Sequence, residues 1–254
     1  MVGGRGRGVL EVRGDASAPG RWASVTKLVS ALAALVAVEE GTIALDDPAG
    51  PPSSTVRHLL AHASGLAFDQ DHVLARPGER RIYSNVGFEA LAAYVAQQAA
   101  IPFETYLHEA VLQPLGMAAI RWAGTAAAGL VGPLSDLVPL AAELLAPTLV
   151  SRETFAAATA VAFPGLAGVL PGVGRYDPLD WGLGFELRDG KSPHWTGTGN
   201  APETFGHFGG SGSFLWVDPV ADLAVAALYG RAFGAWALAE WPELSDALLE
   251  EYGR

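Results

Sequence analysis

The chain contains no cysteine, which excludes disulfides, thiolate metal sites and a cysteine nucleophile. Charge is also scarce, at 17% of residues, while half of the 254 residues are hydrophobic. This balance suits a compact globular protein and argues against disorder. The formal net charge of −11 disfavours nucleic acid or an anionic membrane as a partner.

No apolar run in the sequence is long enough to span a bilayer. The first eight residues carry charge, but no apolar core follows them as it would in a secretory signal. We therefore expect a cytoplasmic protein, unless residues that precede Met1 are missing.

Lysine is almost absent, since Lys27 and Lys191 are the only two. Lys27 follows Ser24 by three residues, at the start of an apolar run that ends near Gly41. This pattern predicts a helix that is buried all round, with Ser24 and Lys27 on one face. A serine hydroxyl becomes a nucleophile when a nearby base takes its proton, and a buried lysine of lowered pKa is such a base. On these residues alone, a serine N-cap with a snorkelling lysine fits equally well.

The order of the predicted elements indicates a two-lobed α+β fold. One short strand fits residues 9–13, and helices dominate the middle of the chain. Strands at 181–187, 213–217 and 223–228 follow, with short turns that predict an antiparallel sheet. We expect an α/β sheet domain formed by residues 1–55 and 175–254, and an all-helical domain formed by residues 56–174.

His58 and His62 are spaced four apart, a spacing that can hold a metal ion. Leu59 stands where a zinc protease helix carries its glutamate, so we interpret both histidines as structural. The sequence implies no metal and no organic cofactor.

Three short motifs occur in a fixed order: Ser24-Val25-Thr26-Lys27, Tyr83-Ser84-Asn85 and His207-Phe208-Gly209. This order resembles the penicillin-recognising serine hydrolases, and the tyrosine-x-asparagine motif is most similar to the class C β-lactamase and related esterase branch. Further segments similar to landmarks of that branch are residues 45–48, 58–66, 114–117 and 181–185.

The resemblance implies a β-lactamase/transpeptidase-like fold, an α/β sandwich with an antiparallel sheet and an inserted helical domain. It implies that Ser24 is the nucleophile of an acyl-enzyme, with Lys27 and Tyr83 as its acid–base partners. A tyrosine beside a lysine ammonium is expected to shift toward phenolate. The main-chain amides of Ser24 and Gly210 would form the oxyanion hole. The implied substrate-binding residues are Asn85, His207, Phe208 and Gly209.

Each of these residues also has a purely structural interpretation. Tyr83 alone is more typical of a buried tyrosine with a satisfied hydroxyl, and Asn85 is typical of a turn. The glycines after Phe208 fit a bend at a strand entrance. His194-Trp195-Thr196-Gly197 competes for the third motif, but polar loop residues follow it instead of an apolar strand.

His207 departs from the pattern, because many family members place a lysine there to meet the carboxylate of a penicillin or peptide. A histidine is largely neutral near pH 7, and the bulk of Phe208 replaces a small polar residue. Both changes favour neutral esters or amides. A second departure is the single N-terminal strand, where the family has a hairpin. We expect either a lost strand or a truncated start.

We therefore predict an esterase that acts on small carboxylic esters. The alternatives are a β-lactamase or a D-alanyl-D-alanine carboxypeptidase or amidase, and a non-catalytic binding homologue that kept the cleft. Each predicts a small-molecule ester, amide or lactam ligand, and none fixes an oligomeric state. A Gly-x-Ser-x-Gly serine hydrolase is excluded, because Ser213 follows Ser211 where the second glycine belongs.

Overall fold

A computed structural model describes residues 1–254. Its helices are α1 (Thr26–Glu39), α2 (Val56–Leu60), α3 (Asn85–Ala99), α4 (Phe103–Leu107), α5 (Leu134–Leu145), α6 (Arg152–Ala158) and α7 (Ala235–Tyr252). A 3-10 turn at Ala23–Val25 leads into α1, and a π turn at His108–Leu112 continues α4. No helix combines the length and the apolar character needed to cross a bilayer.

Twelve short strands form three sheets. In chain order they are β1 (Val2–Gly4), β2 (Gly8–Glu11), β3 (Pro19–Arg21), β4 (Arg81–Ile82), β5 (Arg121–Trp122), β6 (Leu130–Pro133), β7 (Gly168–Leu170), β8 (Gly174–Tyr176), β9 (Glu186–Leu187), β10 (Phe205–Gly209), β11 (Ser213–Asp218) and β12 (Leu223–Leu228). The main sheet is antiparallel, in the order β2-β1-β12-β11-β10-β9.

Two hydrophobic cores lie on opposite faces of the main sheet. Because side chains alternate along a strand, Leu215 of β11 joins the larger core with the helices, while Phe214 joins the smaller core. Trp241 of α7 packs in the smaller core, so α7 covers that face. The result is an α/β sandwich, which confirms the predicted α+β fold.

The predicted buried helix is confirmed in α1. Every residue of α1 from Thr26 to Ala37 is buried, and Gly41 follows with a left-handed φ of 75° after the helix ends. Lys27 and Ser30 are the strongly polar side chains within this apolar surround, and both find oxygen partners. A fully buried helix fixes its first turn firmly, which matters for the site at that end.

The prediction of a single N-terminal strand is wrong. β1 and β2 form a hairpin, and β1 pairs with β12 so that Gly3 lies opposite Ala224. Glycine has a low strand propensity, and the glycine-rich start therefore resembles a loop in sequence. Main-chain pairing to β12 holds the hairpin, and Val2 is its one side chain buried in the smaller core. The predicted strand at 181–187 is also shorter, since only Glu186–Leu187 is a strand.

We expected the segment between residues 56 and 174 to be all-helical, but the structure shows that it also contains strands. It contains β4 to β7 in two small sheets, together with most of the helices. Moreover, α5 packs on β12 and β11 of the main sheet. The short strands were missed because two to four residues are too few to show a period of two. The division of the chain into two domains at these limits stays a prediction.

Candidate active site

The 3-10 turn that leads into α1 carries Ser24 and brings it to Lys27 in the first turn of α1, as their spacing predicts. Lys27 Nζ lies 3.2 Å from Ser24 Oγ. Ser24 is half-buried, whereas Lys27 is fully buried. Ala23, the residue before Ser24, has a left-handed φ of 45°, an unfavourable conformation for a residue with a side chain. The chain thus holds strain next to the predicted nucleophile.

Tyr83 reaches the same serine from the junction between β4 and α3. Its hydroxyl donates to Ser24 Oγ at 2.8 Å. The junction is held by Ser84, whose hydroxyl accepts the amide of Gly87 and so caps α3. Tyr83 packs against the imidazole of His62, whose Nδ1 accepts the amide of Ser84. His62 therefore supports Tyr83 from behind, in agreement with a structural role.

Neutral oxygens surround the ammonium of Lys27. Asn85 Oδ1 accepts from Nζ at 2.6 Å, and the main-chain carbonyl of Ala127 accepts at 2.9 Å. Burial lowers the pKa of Lys27 to about 7, and the more distant carboxylates of Glu89 and Asp69 only partly oppose this. At neutral pH a large share of the molecules therefore carries an uncharged Lys27 amine.

The expected shift of Tyr83 toward phenolate does not occur. Burial raises the pKa of the Tyr83 phenol, and its hydrogen bond to Ser24 offsets this only in part. Lys27 lies 4.8 Å from the centre of the Tyr83 ring, but a buried, partly neutral amine stabilises a phenolate poorly. Tyr83 is thus a neutral phenol in the resting site.

His207 lies behind Tyr83 and is only 2% exposed. Its Nδ1 is 2.6 Å from the carbonyl oxygen of Phe208, which can only accept, so Nδ1 carries the ring proton. The bare Nε2 then faces the Tyr83 hydroxyl at 3.3 Å. Burial lowers the pKa of His207 to about 3, so the imidazole is neutral at pH 7.

Phe208, which the resemblance places among the substrate-binding residues, does not line the cleft. Neighbouring residues of a strand point to opposite faces, so Phe208 points away from His207. Its ring packs 4.5 Å from the ring of Phe233 and contacts Trp195 and Trp241 under α7. The alternation along β10 could have predicted this placement.

Gly209 ends β10 beside the turn that carries Ser24, and Gly210 follows the strand. A Cβ on Gly209 would lie 2.5 Å from the carbonyl oxygen of Trp22, so only glycine lets the strand approach the turn this closely. Gly210 is exposed, and a Cβ there would meet no atom within 4 Å. The structure thus brings Ser24, Lys27, Tyr83, Asn85, His207 and Gly209 together.

Sequence reasoning missed Glu89, which supports the site from α3. Its carboxylate accepts the amides of Ala127 at 2.9 Å and Ala126 at 3.3 Å. The carbonyl of that same Ala127 accepts from Lys27. Glu89 follows Asn85 by four residues and so shares its helix face, which is a signal that the sequence contains. The Ala127 carbonyl has no such signal, because it is main chain.

The structure holds no cluster of three or more histidine or carboxylate side chains with the geometry of a metal site. His194, the alternative third-motif histidine, is buried against the carboxylate of Glu186 at 3.1 Å. It therefore belongs to a buried polar cluster and not to the Ser24 site.

Comparison with known proteins agrees with this architecture. The model of the β-lactamase family matches residues 15–248. A crystal structure of a β-lactamase from Mycobacterium bovis is 56% identical, with a TM-score of 0.98 over 100% of this chain and 94% of that chain. No match was found among curated proteins.

More distant structures share the fold alone. Simvastatin synthase from Aspergillus terreus is 18% identical, with a TM-score of 0.78 over 94% of this chain and 85% of that chain. EstCE1, a hydrolase with promiscuous acyltransferase activity, is 20% identical, with a TM-score of 0.73 over 92% and 86%.

The antiparallel sheet, the buried α1 helix and the inserted helices together define the β-lactamase/transpeptidase-like fold. The chain belongs to the β-lactamase family of serine hydrolases.

Proposed function

We propose that the protein is an esterase that forms an acyl-enzyme on Ser24 and acts mainly on small carboxylic esters. The observation that carries the ester preference is the neutral, buried His207 in the third motif. In many relatives a lysine there meets the carboxylate of the substrate. Here no cation stands at that position.

In the proposed acylation, Lys27 is the general base. Its uncharged amine takes the proton of Ser24, and the serine oxygen attacks the ester carbonyl carbon. The carbonyl oxygen gains negative charge, which the amides of Ser24 and Gly210 stabilise. Asn85 holds the Lys27 amine in place through the 2.6 Å hydrogen bond.

Collapse of the tetrahedral intermediate breaks the bond to the alcohol. Tyr83 is a neutral phenol within hydrogen-bond distance of Ser24 Oγ, so it is suited to protonate the departing alkoxide. The Lys27 ammonium then returns a proton to Tyr83. In deacylation a water molecule attacks the acyl carbon, the same groups act in reverse, and Ser24 regains its proton.

A β-lactamase is the first alternative, supported by the name of the 56% identical crystal structure. A D-alanyl-D-alanine carboxypeptidase shares its requirement for a carboxylate site, which the neutral His207 does not supply. A non-catalytic homologue is disfavoured, because it would have no need for a buried lysine with a pKa of about 7 beside a serine.

Hydrolysis of a p-nitrophenyl ester and of a chromogenic cephalosporin, each with wild type and Ser24→Ala, tests the proposal. We expect ester turnover that is lost in Ser24→Ala, with little cephalosporin cleavage. The exposed Ser17→Ala is the matched control. Faster cephalosporin than ester cleavage would establish the β-lactamase alternative. If a serine-directed phosphonate does not label Ser24, the non-catalytic binding homologue is the remaining interpretation.

A further inference from the structure

A cleft of about 560 Å³ opens beside Tyr83. It is lined by eleven residues from two segments, 68–83 and 167–175. Three of them, Arg80, Arg81 and Arg175, are arginines, and none is aspartate or glutamate. In a chain with a net charge of −11, this is a locally cationic site.

The cleft adjoins the Ser24 site, because Tyr83 lines the cleft and its hydroxyl donates to Ser24 Oγ. Phe68 stacks on Tyr83 with their ring centres 5.7 Å apart, and the Phe68 carbonyl accepts the amide of Asn85. A substrate whose ester carbonyl lies at Ser24 can therefore extend one arm along this wall.

The walls of the cleft expose large apolar side chains. Phe68, Leu74 and Val169 are 44%, 49% and 53% exposed, and Val73 beside them is 51% exposed. These four are almost half of the large hydrophobic residues that the protein exposes, of which there are nine. Clustered apolar exposure of this kind marks a binding surface.

The three arginines differ in how much of the guanidinium group remains available to bind a ligand. Arg81 is buried, and its guanidinium donates hydrogen bonds to the main-chain carbonyls of Leu179, Ala61 and Ala162. Arg80 is exposed and gives one nitrogen to the Leu74 carbonyl. Arg175 is also exposed, and the structure gives its guanidinium neither a hydrogen bond nor an ion pair.

Strand pairing places Arg175 over the apolar wall. Arg175 of β8 lies directly opposite Val169 of β7, so the two side chains share one face of the hairpin. The aliphatic stem of Arg175 can then cover Val169, with the charged end at the cleft.

We propose that this cleft binds an apolar arm of the substrate that ends in an anionic group, held by Arg175 and Arg80. This inference rests on the proposed esterase function and names the class of its substrates. A carboxylate and a phosphate monoester share the required chemistry, since both accept paired hydrogen bonds from a guanidinium. The anion binds at the far end of the arm and not at His207.

The first test compares p-nitrophenyl half-esters of succinate, adipate and suberate with their methyl-capped diesters. We expect a lower KM for the longer half-esters than for their capped partners. Arg175→Gln should raise the KM for the suberate half-ester about three- to tenfold and leave kcat and the capped ester unchanged. Arg152→Gln, an exposed arginine on α6, is the control. Equal KM values for half-ester and capped ester with intact turnover would overturn this inference alone.

The second test does not depend on turnover. Calorimetric titration of Ser24→Ala with octanoate, octyl phosphate and octanol measures the anion directly. We expect octanoate and octyl phosphate each to bind more tightly than octanol. This difference in affinity should be lost in Ser24→Ala/Arg175→Gln. The anion that binds more tightly identifies the anionic group of the substrate. If all three ligands bind equally, the inference is wrong even if the enzyme is an esterase. If the anions bind but no ester is cleaved, the inferred anion binding in the cleft is supported and the proposed esterase function is wrong.

Discussion

The only two lysines of the chain are both buried, and they differ in one respect. Lys191 Nζ lies 2.9 Å from a Glu186 carboxylate oxygen, in a cluster that also contains His194. Burial alone would raise the pKa of Glu186, but Lys191 and His194 lower it to about 2. Lys27 contacts only neutral oxygens, so burial dominates and its pKa falls to about 7. The two buried lysines thus differ in whether a carboxylate contacts them directly, and for Lys27, which lacks one, burial lowers the pKa.

The largest effect is expected for Lys27→Arg. A guanidinium stays protonated at any working pH, so the base is lost while the charge remains. Ester kcat/KM should fall about 10²- to 10⁴-fold, the usual contribution of general base catalysis. Lys191→Arg is the control and should keep its kcat/KM. Retention of more than about a tenth of the activity in Lys27→Arg would show that Lys27 is not the base.

Lys191→Met should act on stability and not on chemistry. Removing Lys191 from this buried cluster leaves the Glu186 carboxylate with only His194 and the Trp195 indole as partners, at a cost of about 3–5 kcal/mol of unfolding free energy. Urea denaturation measures this loss. Because the folded-state pKa of Glu186 is lowered, the contribution of the pair is complete above pH 4.5 and disappears as pH falls toward 2. An unchanged midpoint in Lys191→Met would show that the pair is dispensable.

Asn85→Asp tests the comparison most directly, because it gives Lys27 a carboxylate partner like that of Lys191. The pKa of Lys27 should rise by about one to three units. In the wild type, kcat/KM should increase with pH through about 7, as Lys27 loses its proton. In Asn85→Asp this rise should move to higher pH by the same amount. An unmoved rise would mean that another group controls the profile.

The smallest effect is expected for Glu89→Gln. Removing this distant carboxylate takes away an influence that raises the pKa of Lys27, so the rise in kcat/KM should move slightly to lower pH. The amide oxygen of glutamine can still accept one amide of the 126–127 segment, and KM should stay within about twofold. Glu104→Gln on α4, which lies outside this network, provides the matched control. A shift to higher pH would contradict the assigned electrostatics.

The sequence was sufficient to predict the elements whose patterns are long. The apolar run of α1 and the strands β11 and β12 are confirmed, because their burial is continuous over many residues. The spacing of Ser24 and Lys27 also predicts their contact, since a helical turn brings such residues together. These features depend on local periodicity.

Other features depend on contacts that local patterns do not encode. The β1–β2 hairpin forms through main-chain pairing to β12, and glycines carry no sign of it. The raised pKa of Tyr83 follows from its depth, which no motif specifies. The Ala127 carbonyl on Lys27 comes from a loop far along the chain. Phe208 is different, because the alternation along β10 is a local pattern that predicts its side chain on the face opposite His207.

The site is assembled from three distant segments: Ser24 from the α1 turn, Tyr83 from the β4–α3 junction and His207 from β10. The turn that carries Ser24 is fastened to the main sheet, because Ser213 donates to the Trp22 carbonyl at 2.7 Å. Tyr83 joins it only when the chain between them has packed. Ester cleavage during refolding would therefore report that all three segments have packed, and a molecule with one segment still unpacked would bear no reactive serine.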